Sequence, residues 1–126
     1  MTRAQVLDRP GLLLGALNLA LGVALIWGGP LRTSSPSFDI AKQIMTPAQW
    51  GLLFLAGGIV CVLAAGLGRI GAVLVGTGAG IHFFWALALV RSAVDDSRAA
   101  LTGCVVYAWL SGVHIWTAWR LARRVA

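Results

Sequence analysis

The 126-residue chain is 59% hydrophobic and 11% charged, with a mean hydropathy of +0.85. Soluble domains carry about 25% charged residues, so an ordinary soluble fold is excluded and a membrane protein is indicated. The net charge of +6 does not mark a nucleic-acid binder, because the ten basic residues sit at the ends of apolar blocks and form no basic stripe.

The first apolar block, GLLLGALNLALGVALIWGG, covers residues 11–29. It is too long for a signal-peptide core and lacks an A-x-A cleavage site, so a retained anchor is expected. The external connection, residues 30–48, follows. Its TSSPS part reads as irregular. SFDIAKQIM then places Phe38, Ala41, Ile44 and Met45 on one helical face, opposite Asp39, Lys42 and Gln43. That pattern predicts a short amphipathic helix on the outer surface. In TPAQ, Thr46 is the N-cap, Pro47 is N1 and Gln49 is N3, a capping-box start for the next helix.

The second block covers 49–68, and GLGRI is a tight turn into the third block at 70–90. RSAVDDSR is a short polar connection in which Asp96 or Ser97 can cap the next helix. The fourth block covers 99–119 and the basic tail 120–126. No block contains Lys, Arg, Asp or Glu, and each approaches the ~20 residues that cross a hydrocarbon core. Backbone groups in lipid must be satisfied internally, which favours helices. The expected fold is an all-α integral membrane protein of one domain, 1–126. It has four transmembrane helices in a bundle and a short amphipathic helix in the first external connection.

Basic residues set the orientation. Arg3, Arg9, Arg69, Arg120, Arg123 and Arg124 fall on one side; Arg32, Lys42, Arg91 and Arg98 fall on the other. The positive-inside rule places both termini in the cytoplasm of a bacterial cytoplasmic membrane. Trp27, Trp50, Trp85, Trp116 and Trp119 lie near predicted span ends and read as interfacial anchors, while Trp109 lies close to mid-span. Arg32 and Arg91 occupy matching places in two successive helical hairpins, a loose internal repeat.

Small residues recur every four positions: Ala16, Ala20 and Ala24; Gly57, Cys61 and Ala65; Ala72, Gly76 and Gly80; Ala108 and Gly112. Such faces let helices approach closely in lipid, either within one chain or between copies. The intramembrane polar residues are Asn18, Thr77, His82, Thr102, Ser111, His114 and Thr117. Ser111 and the threonines can bond their own helix backbones. The two histidines are open to three readings: neutral core residues bonded to a neighbouring helix, a proton path, or the lining of a pore. Counted from Asp95, His82 and His114 are offset by six residues, or ~9 Å, which disfavours a shared haem. Cys61 and Cys104 lie in apolar blocks without metal-ligand spacing. No catalytic set, phosphate loop or metal motif is present, so no enzyme activity, cofactor or metal is expected.

The short length, the four spans, the Arg-rich and Lys-poor usage, the SPSFDIAKQIMTPAQWGLLFLAGG stretch and the basic RLARRVA tail together resemble the small four-helix holin-like membrane proteins of actinobacterial phages. The likeness covers the whole chain at the level of architecture and carries over no functional residue. It implies homo-oligomerisation in the lipid bilayer and permeabilisation for host-cell lysis, with Arg120, Arg123 and Arg124 held by anionic lipid. The alternative is a non-lytic interaction protein, an accessory subunit or superinfection-exclusion factor. It would bind another membrane protein through Phe38, Ile40, Ile44 and Met45.

Overall fold

The computed structural model describes residues 10–64, 67–95 and 102–123. Their regular structure is helical: α1 Pro10–Arg32, a 3-10 turn Pro36–Phe38, α2 Asp39–Ile44, α3 Pro47–Ala64, α4 Gly68–Asp95 and α5 Thr102–Arg123. Three of these helices, α1, α3 and α4, are long and apolar enough to cross a membrane. α5 has the length but spends part of its apolarity on Tyr107, Ser111, His114 and three tryptophans. Asp8, Arg3, Arg9, Ala65, Asp96, Ser97, Arg98 and Arg124 lie outside the described residues.

The helix ends differ from the expected spans for local reasons. α1 continues through Pro30 to Arg32, because a proline so near the end removes one of the last backbone hydrogen bonds. α4 runs five residues past position 90 to Asp95, where Arg91 and Asp95 form an i,i+4 ion pair at 3.0 Å. α3 opens as the sequence predicts. The Gln49 N–H donates to Thr46 Oγ1 at 3.3 Å, and Gln49 Oε1 accepts from the Thr46 N–H at 2.9 Å.

Apolar side chains cover the outside of this protein. Leu52, Val73 and Val105 are each at least 60% exposed, whereas Asn18, His82, Ser111, His114 and Thr117 are buried. A soluble protein of this size does not turn so much apolar surface outward. Lipid makes that surface stable and makes the polar interior the place to look for function.

α1 and α3 pack antiparallel through glycines seven residues apart. A Cβ on Gly15 would lie 3.0 Å from the Gly58 carbonyl oxygen, and one on Gly22 2.7 Å from that of Gly51. Backbone thus meets backbone, the close approach that small residues permit in lipid. The alanine stripe does not make this contact within the chain: Ala16 and Ala20 are exposed and Ala24 is half-buried. The four-residue spacing counted alanines, but the turn of the helix puts Gly15 and Gly22 on the inner face. Cys61 and Ala72 are buried and Gly57, Gly76 and Gly80 partly so, while Ala108 and Gly112 face outward.

The first connection folds back over the helix ends instead of lying flat on the surface. Ala41 is buried, and Phe38, Ile40 and Met45 pack against a cluster containing Trp50, Phe54 and Trp85. The Ile40 N–H donates to Ser92 Oγ at 3.1 Å, and Trp50 Nε1 donates to the Ala41 carbonyl at 2.8 Å. Trp50 and Trp85 meet edge to face at 4.7 Å between centroids. These two tryptophans are therefore core residues, which corrects their reading as interfacial anchors. Trp27, Trp116 and Trp119 are exposed.

Gly58→Ala places its Cβ against the backbone of Gly15 and Leu19, whereas Gly80 has nothing within 4 Å. Gly58→Ala is expected to cost about 1–3 kcal/mol by overpacking. Gly80→Ala is expected to be neutral or to stabilise by up to about 1 kcal/mol through helix propensity. Unfolding in detergent followed by circular dichroism checks the contrast.

Candidate functional site

Asn18 on α1, His82 on α4 and His114 on α5 are each at most 2% exposed and form one hydrogen-bonded chain. His114 Nδ1 lies 2.8 Å from the Leu110 carbonyl. A carbonyl only accepts, so Nδ1 carries the proton and the neutral ring presents Nε2 as an acceptor. The group 3.1 Å from that Nε2 must donate, which fixes it as the Asn18 amide Nδ2. Asn18 Oδ1 then accepts from His82 Nε2–H at 2.9 Å. One carbonyl on α5 sets the tautomers of both histidines, leaving His82 Nδ1 bare. That nitrogen has no partner among the described residues.

The histidines are not staggered beyond reach, as the count from Asp95 implied. Their ring centroids are 4.7 Å apart. Ser111 Oγ donates to the Ala79 carbonyl at 3.0 Å, and Gly103 faces Leu89. This register puts His114 level with Gly78, about one turn (~6 Å) from His82. In a helix each Cβ leans toward the N-terminus. On antiparallel helices that lean carries these two rings toward each other and closes the remaining gap.

Gly78 makes room for the site. A Cβ there would lie 2.8 Å from His114 Cδ2 and 3.1 Å from Nε2. Aromatic rings enclose the chain on its other side. Tyr107 stacks on His82 at 5.8 Å and 25°, and Phe54 lies 5.2 Å from the same ring. Gly78, Phe54 and Tyr107 were not singled out in the sequence. Only Gly78 carried a local signal, as a glycine one helical turn before a histidine.

The other polar candidates are separate from this chain. Thr77 is exposed and bonds the Leu74 carbonyl at 2.6 Å. Thr102 is exposed, and Thr117 is buried with no partner for its hydroxyl among the described residues. Cys61 and Cys104 are buried in different clusters. Among the described residues no three His, Cys, Asp or Glu side chains gather as a metal site. The arrangement binds three helices through neutral polar groups, and His82 Nδ1 is its ring nitrogen left without a partner among the described residues.

No protein-family model, curated protein or solved structure matches this chain.

Asn18→Leu strands His82 Nε2–H and His114 Nε2 together inside the helices. A loss of about 1–3 kcal/mol is expected, the cost of unsatisfied buried groups. Thr77→Val removes only a bond within its own helix and is expected to stay within about 0.5 kcal/mol. Chemical unfolding of the two variants in the same detergent compares them.

Proposed function

We propose that the chain is a four-span protein of the bacterial cytoplasmic membrane, with both termini inside, that self-associates and permeabilises the membrane in the manner of a holin. α5 serves as the fourth span in this reading, and its C-terminal turns sit at the inner interface. There Arg120 lies over Trp116 at 4.8 Å and Arg123 over Trp119 at 4.0 Å. Each pair sets a cation beside an amphipathic ring at the depth where anionic headgroups begin.

The observation that carries the proposal is the construction of the α1–α5 seam. Asn18 bridges it to His114 at 3.1 Å. The α1 residues before Asn18 line a 230 Å³ cavity with α5, and those after it help line one of 410 Å³. Around the polar bridge the seam is thus poorly filled. Such voids forfeit the dispersion contacts that hold helices together in lipid. When the bridge breaks, Asn18, His82 and His114 become available to water between associated copies. The outward Ala16, Ala20, Ala108 and Gly112 offer small-residue faces for that association. Self-association and pore opening then draw on the same two helices.

The alternative, an interaction protein working through its external connection, has less support. Phe38, Ile40 and Met45 are packed inward, leaving Ile44, at 59% exposed, as the free apolar contact of that set.

Inducible expression in a bacterium, with membrane potential and growth followed together, tests the proposal. Abrupt depolarisation after a delay is expected, with lysis only when a cell-wall hydrolase is co-expressed. Asn18→Leu is expected to advance the onset. Unchanged potential and growth at verified membrane levels would contradict the reading.

A further inference from the structure

We propose that the 410 Å³ cavity between the outer halves of α1 and α5 binds a long-chain fatty acid, head toward Arg32 and chain along α1. The inference goes beyond the permeabilising role and does not depend on it. The cavity is lined by Leu21, Ala24 and Leu25 of α1, by Thr33 and Phe38 of the connection, and by Arg32, Trp85 and Tyr107. Its volume falls within the range of small-molecule sites. It has room for one acyl chain and not for a two-chain phospholipid.

The polar side of the lining has the character an anionic head requires. Arg32 is the charged residue among the described lining residues. Trp85 is 1% exposed, and its indole N–H has no hydrogen-bond partner among the described residues. A buried donor left unpaired is costly, and an incoming acceptor relieves it. A guanidinium matches the planar fork of a carboxylate. Among the described residues no carboxylate side chain lines the cavity, so a cationic or amine head finds no counter-charge there. The apolar wall faces the α1–α5 seam, along which a lipid chain enters sideways from the bilayer.

The site also abuts the polar chain. Trp85 lies 5.8 Å from the Tyr107 ring, and Tyr107 stacks on His82. A bound amphiphile would therefore press on the aromatic wall of the histidine site.

The test uses the full chain in phosphatidylcholine nanodiscs with a diazirine-bearing palmitate, mapped by mass spectrometry. Saturable labelling is expected in the segments holding Leu21–Leu25 and Trp85–Tyr107. Oleate should compete and methyl oleate should not. Arg32→Gln should weaken labelling by at least about five-fold, as loss of a charge-assisted bidentate contact does. Ala24→Trp, which keeps the charge and fills the cavity, should abolish it. Labelling that is unsaturable, spread over all outward faces, or unchanged by both variants would overturn the proposal. Stronger competition by lysophosphatidylglycerol than by oleate would overturn the choice of a carboxylate in favour of a phosphate head. These readouts involve no lysis, so their failure leaves the permeabilising role to its own test.

Discussion

The Leu110 carbonyl, 2.8 Å from His114 Nδ1, is the constraint on which the interior depends. It cannot donate, so it decides the proton position on His114. That decides the orientation of the Asn18 amide, which decides the proton position on His82. With the His114 ring neutral, each step follows from donor and acceptor capacity. Three helices are thereby registered by four neutral groups. In a hydrocarbon surrounding, the alternative for each group is to go unsatisfied.

Shape does the remaining work, by two different devices. Between α1 and α3, Gly15 and Gly22 against Gly58 and Gly51 remove side chains altogether. The helices then meet along their backbones. Between α4 and α5, Gly78 removes one side chain so that one ring can enter. The first contact is continuous and has no preferred chemistry. The second is a socket for His114. The α1–α5 seam has neither device, and it is there that the polar bridge and both cavities lie. A further cavity of 440 Å³ lies between α3 and α4, lined by Trp50, Leu53, Thr77, Gly80, Ile81 and Phe84, but among the described residues the α1–α5 seam alone joins loose filling to a buried polar bridge.

Much of the helical framework was legible in the residues. Charge-free apolar blocks and the Thr46–Gln49 capping box are local features, and local features survive folding unchanged. The site was legible only as a set of names. Asn18, His82 and His114 stood out because polar groups are expensive in lipid, but their meeting depended on helix register. The Ser111–Ala79 and Gly78–His114 contacts set a register in which the six-residue offset overstates the separation. The lean of both rings toward their helix N-termini closed what remained. The tryptophans failed for a related reason. Trp50 sits near the start of α3, but α4 runs on to Asp95 and leaves Trp85 well inside it; α2 packs against both and makes them core. Sequence position gave their depth and could not give what covers them. The four-residue spacing on α1 marks a small-residue face without saying what meets it; within the chain α3 meets the face of Gly15 and Gly22.

The two histidines hold opposite tautomers within one hydrogen-bonded chain. Nitrogen-15 magic-angle-spinning spectra of histidine-labelled protein in phosphatidylcholine bilayers test it most directly. Two neutral rings are expected, His114 protonated on Nδ1 and His82 on Nε2, with a through-space correlation from each ring to the Asn18 side-chain amide. Two rings with the same tautomer, or no Asn18 correlation, would contradict it.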